Sequence, residues 1–162
     1  MESTVDRVNS DLLDIRQIFN AANYNIVQEF DISSEKFAEQ FSLLYEVNSD
    51  KIESLALYGN EGRLIASEPV AVEKENIDVT GQDWYKNAES AIENVHFSVP
   101  HIQNLYEDGL YRYHWVVSLS RYVDINDGEI PGSGVLLVDM KYSVIEDVLK
   151  QINCLLYTSE AA

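Results

Sequence analysis

The sequence predicts an α+β fold: a five-stranded antiparallel sheet with long N-terminal helices on one face, and a pocket covered by loops and a short helix on the other. Three observations predict it. Two stretches with apolar residues at helical spacing precede every alternating segment, a glycine-bounded hairpin follows them, and the C-terminal half alternates strongly apart from one short helical run.

The first helix is read from Val5, Val8, Leu12, Ile15, Phe19, Ala22, Ile26 and Phe30, whose spacings of three and four draw one apolar stripe. An interruption is expected near Asn23–Asn25. The second helix should start after the cap-like pair Ser33–Ser34, with Glu35 in its first turn, and bury Phe37, Phe41, Leu44 and Tyr45. A hairpin follows, Ile52 to Tyr58 and Arg63 to Ser67, joined by GNEG, whose glycines admit positive φ. Pro69 to Val79 reads as a loop. Gly81 breaks the chain before the helix DWYKNAESA, for which Asp83 is the expected cap. His96 to Gln103, with Pro100 inside, suits an edge or bulged strand. In Tyr111 to Val123, Tyr113, Trp115, Val117, Leu119 and Arg121 point one way, and His114, Val116, Ser118, Ser120 and Tyr122 the other. After the turn DINDGEIPGSG, the apolar run GVLLVDM reads as a central strand, and Tyr142 to Ile152 as a closing helix.

Composition narrows the function. The chain has 162 residues, 46% of them hydrophobic, and a formal net charge of −17, which repels nucleic-acid phosphates and anionic lipid surfaces. No apolar run approaches the roughly 18 residues of a membrane span, and Glu2, Asp6, Arg7, Asp11 and Asp14 occupy the place of a signal peptide's apolar centre. The single cysteine, Cys154, cannot form an internal disulfide, and the spacing of His96, His101 and His114 is not that of a zinc site. There is no glycine-rich phosphate loop, nucleophile elbow or helix with paired metal ligands, so neither enzyme activity, metal nor cofactor is expected. The tail NCLLYTSEAA reads as adapter-derived from residue 154 onward.

Trp84 and Tyr85 stand side by side where the chain crosses the sheet, as core or as pocket wall. Asp139, among Leu136, Leu137, Val138 and Met140, is an acid on an apolar strand and needs a partner. A ligand ammonium would serve, and so would Arg121 or Arg112. His101 and Tyr106 are weaker pocket candidates, and Arg121 also reads as a solvent-facing charge.

The runs GQDWYKNA, FSVPHIQNLY, WVVSLSRYV and GVLLVDMKYSVIEDVL, in this order, resemble the PAS-like Cache sensor domain of YesM-like bacterial sensor histidine kinases. The match is to the membrane-distal module of a double-Cache region and covers about residues 40 to 152. With it the chain divides into residues 1–32 as a stalk helix and 33–153 as the sensor domain, followed by the adapter-like 154–162 as a non-native tail. The match implies an extracellular domain that binds a small molecule, or a binding protein carrying one, and signals through transmembrane helices outside this chain to a kinase of a two-component system. The resemblance implies that Trp84, Tyr85 and Asp139 line the ligand pocket, and Gln82, His101, Tyr106, Tyr113 and Arg121 complete the candidate ligand-binding set. Amino-acid-sensing relatives carry an arginine two positions before the tryptophan, and Gln82 stands there in this chain, a donor without charge. The alternative is a structural or protein-docking spacer module with no ligand of its own. Val5, Val8 and Leu12 are expected to pair with a second copy, giving a homodimer through the N-terminal helix.

Overall fold

The computed structural model describes residues 4–91, 94–107, 114–128, 130–144, 146, 147 and 150, with backbone alone at 4, 5, 7–9, 11, 12, 130 and 131. Helix α1 runs over Thr4–Asn20 and continues as a π-helical segment over Ala21–Val27, the interruption expected at Asn23–Asn25. The wider π turn brings Ala22, Asn23, Ile26 and Val27 inward together, so the buried stripe gains Val27 beside Ile15, Phe19 and Ile26. Val5, Val8 and Leu12, the proposed pairing surface, have side chains outside those described.

Helix α2, Glu35–Val47, begins at Ser34, whose hydroxyl accepts the Phe37 amide at 3.1 Å and satisfies one of the unpaired N–H groups of the first turn. Phe37 and Phe41 stack at 5.2 Å on the buried face. Strands β1, Ile52–Gly59, and β2, Leu64–Glu68, form the expected hairpin. Its turn takes positive φ at Glu61 and Gly62, and Gly59 stays extended. Helix α3 covers Asp83–Ser90, with Gln82 rather than Asp83 at the cap position. Asp78 closes the turn before the helix, its Oδ1 accepting the Gly81 amide and the Thr80 hydroxyl, both at 3.1 Å.

The strand expected over His96–Gln103 is split into β3, His96–Phe97, and β4, His101–Ile102, because the intervening Pro100 interrupts the ladder. Among the described residues the sheet therefore has six strands. β5, Trp115–Asp127, and β6, Ile130–Lys141, form a long hairpin in unbroken register from Val116↔Lys141 to Asp127↔Ile130, so the predicted broad turn contracts to the residues around Gly128. The described strands pair antiparallel in the order β2-β1-β6-β5-β3, with β4 also on β5. The closing helix is described at 142–144, 146, 147 and 150; its remainder, and the tail 154–162, lie outside the described residues.

Alternation in β1, β5 and β6 divides the apolar residues between two faces. Leu55, Leu57, Leu119, Leu136, Val138 and Met140 pack under α1 and α2. On the other face Ala56, Tyr58, Val135 and Leu137 meet Trp84, Tyr85, Leu105 and Tyr106.

Candidate functional site

The site is built on the second face. Asp139 of β6 stands opposite Ser118 of β5 and Ser54 of β1, so the register alone sets a carboxylate between two hydroxyls. Asp139 is 2% exposed and accepts Ser118 Oγ at 2.5 Å and Ser54 Oγ at 3.4 Å. Burial raises its carboxyl above the ordinary value, while the Ser118 hydrogen bond and the nearby His101 act in the opposite direction. His101 of β4 continues the chain outward, its Nε2 lying 2.8 Å from Ser118 Oγ.

Two aromatic pairs cover this floor. The hydroxyls of Tyr58 and Tyr106 are hydrogen-bonded at 2.7 Å, and burial raises both phenols well above their usual range. Trp84, 6% exposed, lies 5.2 Å from Tyr58 and 5.7 Å from Tyr85, the latter edge-on. Ser120 donates to the Trp84 carbonyl at 2.8 Å and Tyr85 to the Gly59 carbonyl at 3.1 Å, so the first turn of α3 is tied to two strands.

A cleft of about 430 Å³ opens between the start of α3 and the β3–β4 edge, lined by Gln82, Asp83, Trp84, Asn87, His96, Phe97, Ser98, Val99, His101 and Ser120. Among these lining residues there is neither lysine nor arginine. The wall offers amide, hydroxyl and imidazole groups, one carboxylate and an indole, a combination suited to a small polar ligand with a positive group. A second hollow, of about 570 Å³, lies beyond the 101–107 segment and includes Tyr45, Glu53, Tyr106 and His114. Among the described residues, no cluster of His, Cys, Asp and Glu could hold a metal ion.

Comparison of the sequence with protein-family models returns no match, and none of the curated proteins matches it. Solved structures do. The ligand-binding domain of the Pseudomonas fluorescens chemoreceptor CtaA, in complex with L-alanine, superposes with a TM-score of 0.66 at 18% identity, over 90% of this chain and 58% of that one. The ligand-binding domain of the Pseudomonas aeruginosa amino-acid chemoreceptor PctB, with L-Gln, gives 0.59 at 16% over 90% of this chain and 54% of that one. A Campylobacter jejuni chemoreceptor sensory domain with isoleucine bound gives 0.59 at 15% over 92% and 60%. The chain has the fold of chemoreceptor ligand-binding domains. It spans between about half and three-fifths of those chains' length.

Within this fold the candidate residues separate by position. Gln82, Trp84 and His101 line the cleft. Tyr85 and Asp139 lie beneath it, in the packed layer and at the end of the serine relay. Tyr106 faces the second hollow. Arg121 is a correction: alternation turns it to the helical face, where its Nη1 donates to Tyr24 Oη at 2.8 Å and its guanidinium lies over the Tyr24 ring at 5.7 Å. It therefore neither lines the cleft nor pairs with Asp139. Tyr113 and Arg112 lie outside the described residues. Sequence reasoning missed Ser54, Ser118, Ser120 and Tyr58. The serines of β5 carried a signal, two hydroxyls at i and i+2 on one side of an apolar strand, whereas Ser54 and Tyr58 became visible only through the β1–β6 register.

Proposed function

We propose that the chain is the ligand-sensing module of a bacterial membrane receptor, held on the extracellular side, and that it binds a small molecule bearing a cationic group in the cleft between α3 and the β3–β4 edge. The observation carrying this reading is the cleft itself, walled by Trp84, Gln82 and His101 and connected through Ser118 to a buried carboxylate. The fold is one whose solved examples hold amino acids. The cleft is read as suited to an amine rather than a free amino acid, because its wall offers a carboxylate neither lysine nor arginine. The resemblance of the four quoted segments supports reading the receptor as a YesM-like sensor histidine kinase, with the kinase outside this chain. Among the described residues no helix is long and apolar enough to cross a membrane, and anchoring is assigned to flanking transmembrane segments.

A thermal-shift screen of amines, amino acids, organic acids and sugars on the 162-residue chain tests the proposal. Amines are expected to raise the melting temperature most, and Asp139→Asn to weaken the best of them at least about tenfold, since a desolvated charge pair loses a few kcal/mol when one charge goes. Full affinity in Asp139→Asn refutes the cationic reading. A cooperatively melting chain that no compound stabilises supports the spacer alternative.

A further inference from the structure

The relay beneath the cleft holds a shared proton. Ser118 Oγ has one proton and lies 2.5 Å from Asp139 Oδ1 and 2.8 Å from His101 Nε2, so one of these two neighbours must donate to it. His101 Nδ1 lies 3.2 Å from the Ile102 carbonyl, which can only accept, so that nitrogen donates. His101 and Asp139 therefore hold one further proton between them, on Nε2 or on the carboxyl. We propose that His101 and Asp139 share this proton through Ser118, and that a ligand's cationic group displaces it and takes over its role. The displacement rests on reading the cleft as the ligand site; the coupling of the two groups does not.

The geometry lets the unit move a proton without leaving any group unpaired. If the proton passes to Asp139, the carboxyl donates to Ser118, Ser118 donates to Nε2, and Nδ1–H remains on Ile102. The surroundings leave His101 as the cation acting on Asp139. From β1 come Glu53, whose charge opposes ionisation of Asp139 and which is paired with His114 at 2.8 Å, and Tyr58, whose phenol burial holds neutral. Tyr106, likewise neutral, and Glu73 across its bridge approach from the loops. His96 and Asp83 share the cleft with His101. A unit that holds one proton at the place a ligand cation must take makes proton and ligand compete, so ligand capture is accompanied by proton release.

Carbon-detected NMR of the full chain, without ligand, follows the Asp139 carboxyl through a pH titration. In His101→Gln, which keeps a donor but no titratable charge, that carboxyl is expected to titrate at higher pH than in the wild type. An unmoved Asp139 titration in His101→Gln overturns the coupling. Ethylamine then serves as the cationic probe. Its affinity for the wild type should rise by up to about tenfold per pH unit across the range in which the unit loses its proton, and the His101 ring signals should move on its addition. Binding that is independent of pH and leaves the ring signals in place overturns the displacement. Absence of ethylamine binding at every pH overturns the displacement together with the cationic-ligand reading, while the ligand-free titration still decides the coupling.

Discussion

Trp84→Ala is the most informative single perturbation, because the indole belongs both to the cleft wall and to the packed layer under it. The ring is 6% exposed and contacts Tyr58 at 5.2 Å and Tyr85 at 5.7 Å. Removing a buried tryptophan costs about 3–5 kcal/mol through lost burial and the cavity left behind, and each aromatic contact accounts for roughly 0.5–1.5 kcal/mol of that order. In a domain of this size about 1 kcal/mol moves the midpoint by roughly 2–4 °C, so a fall on the order of 10 °C is expected. Trp84→Phe keeps one ring against Tyr58 and should lose about half as much. Far-ultraviolet circular dichroism melts of the three proteins measure this, with near-ultraviolet spectra reporting the tyrosine environment. A loss below about 1 kcal/mol in Trp84→Ala would refute the account of the indole as a packed wedge and leave it as a surface ring of the cleft alone.

Three further outcomes are expected. Burial holds the Asp139 carboxyl above its ordinary 3.8, so the folded chain retains this proton more tightly than the unfolded chain. Its contribution to stability is complete below the unfolded value and is lost as pH rises through the raised folded one, so Asp139→Asn should gain on the wild type in urea unfolding as pH rises from about 4 toward neutrality. In Gly134→Ala the new Cβ would lie 2.1 Å from the Tyr58 carbonyl oxygen, against backbone that cannot yield, and a loss of more than about 3 kcal/mol, or failure to accumulate as folded protein, should follow. Ser34→Ala removes the acceptor of the Phe37 amide and should cost about 1 kcal/mol in the same assay.

Much of the architecture was legible because it depends on local periodicity. The stripe through Ile15, Phe19, Ala22 and Ile26, the cap at Ser34 and the GNEG turn are each decided within a few residues, where side-chain spacing and backbone preference point the same way. Alternation likewise placed Ser118 and Ser120 on the face opposite Arg121 before any partner was known. It did not reveal which face the helices would cover. Arg121 was therefore assigned to the pocket when tertiary packing turns it onto Tyr24.

What only the tertiary structure decided are the relations between segments far apart in sequence. Asp139 is flanked by Ser118 and Ser54, 21 and 85 residues away, because two antiparallel registers bring them level, and register is a property of paired strands that no single strand's pattern contains. His101 reaches Ser118 only because Pro100 breaks the edge strand in two and lets β4 pair independently with β5. The sequence by itself determined that an acid sits on a buried strand and that an aromatic pair crosses it. Whether the acid meets a cation from a ligand, from an arginine or from this chain's own histidine depended on which side chains the sheet holds within hydrogen-bonding distance, and that is set by the three-dimensional pairing of the strands.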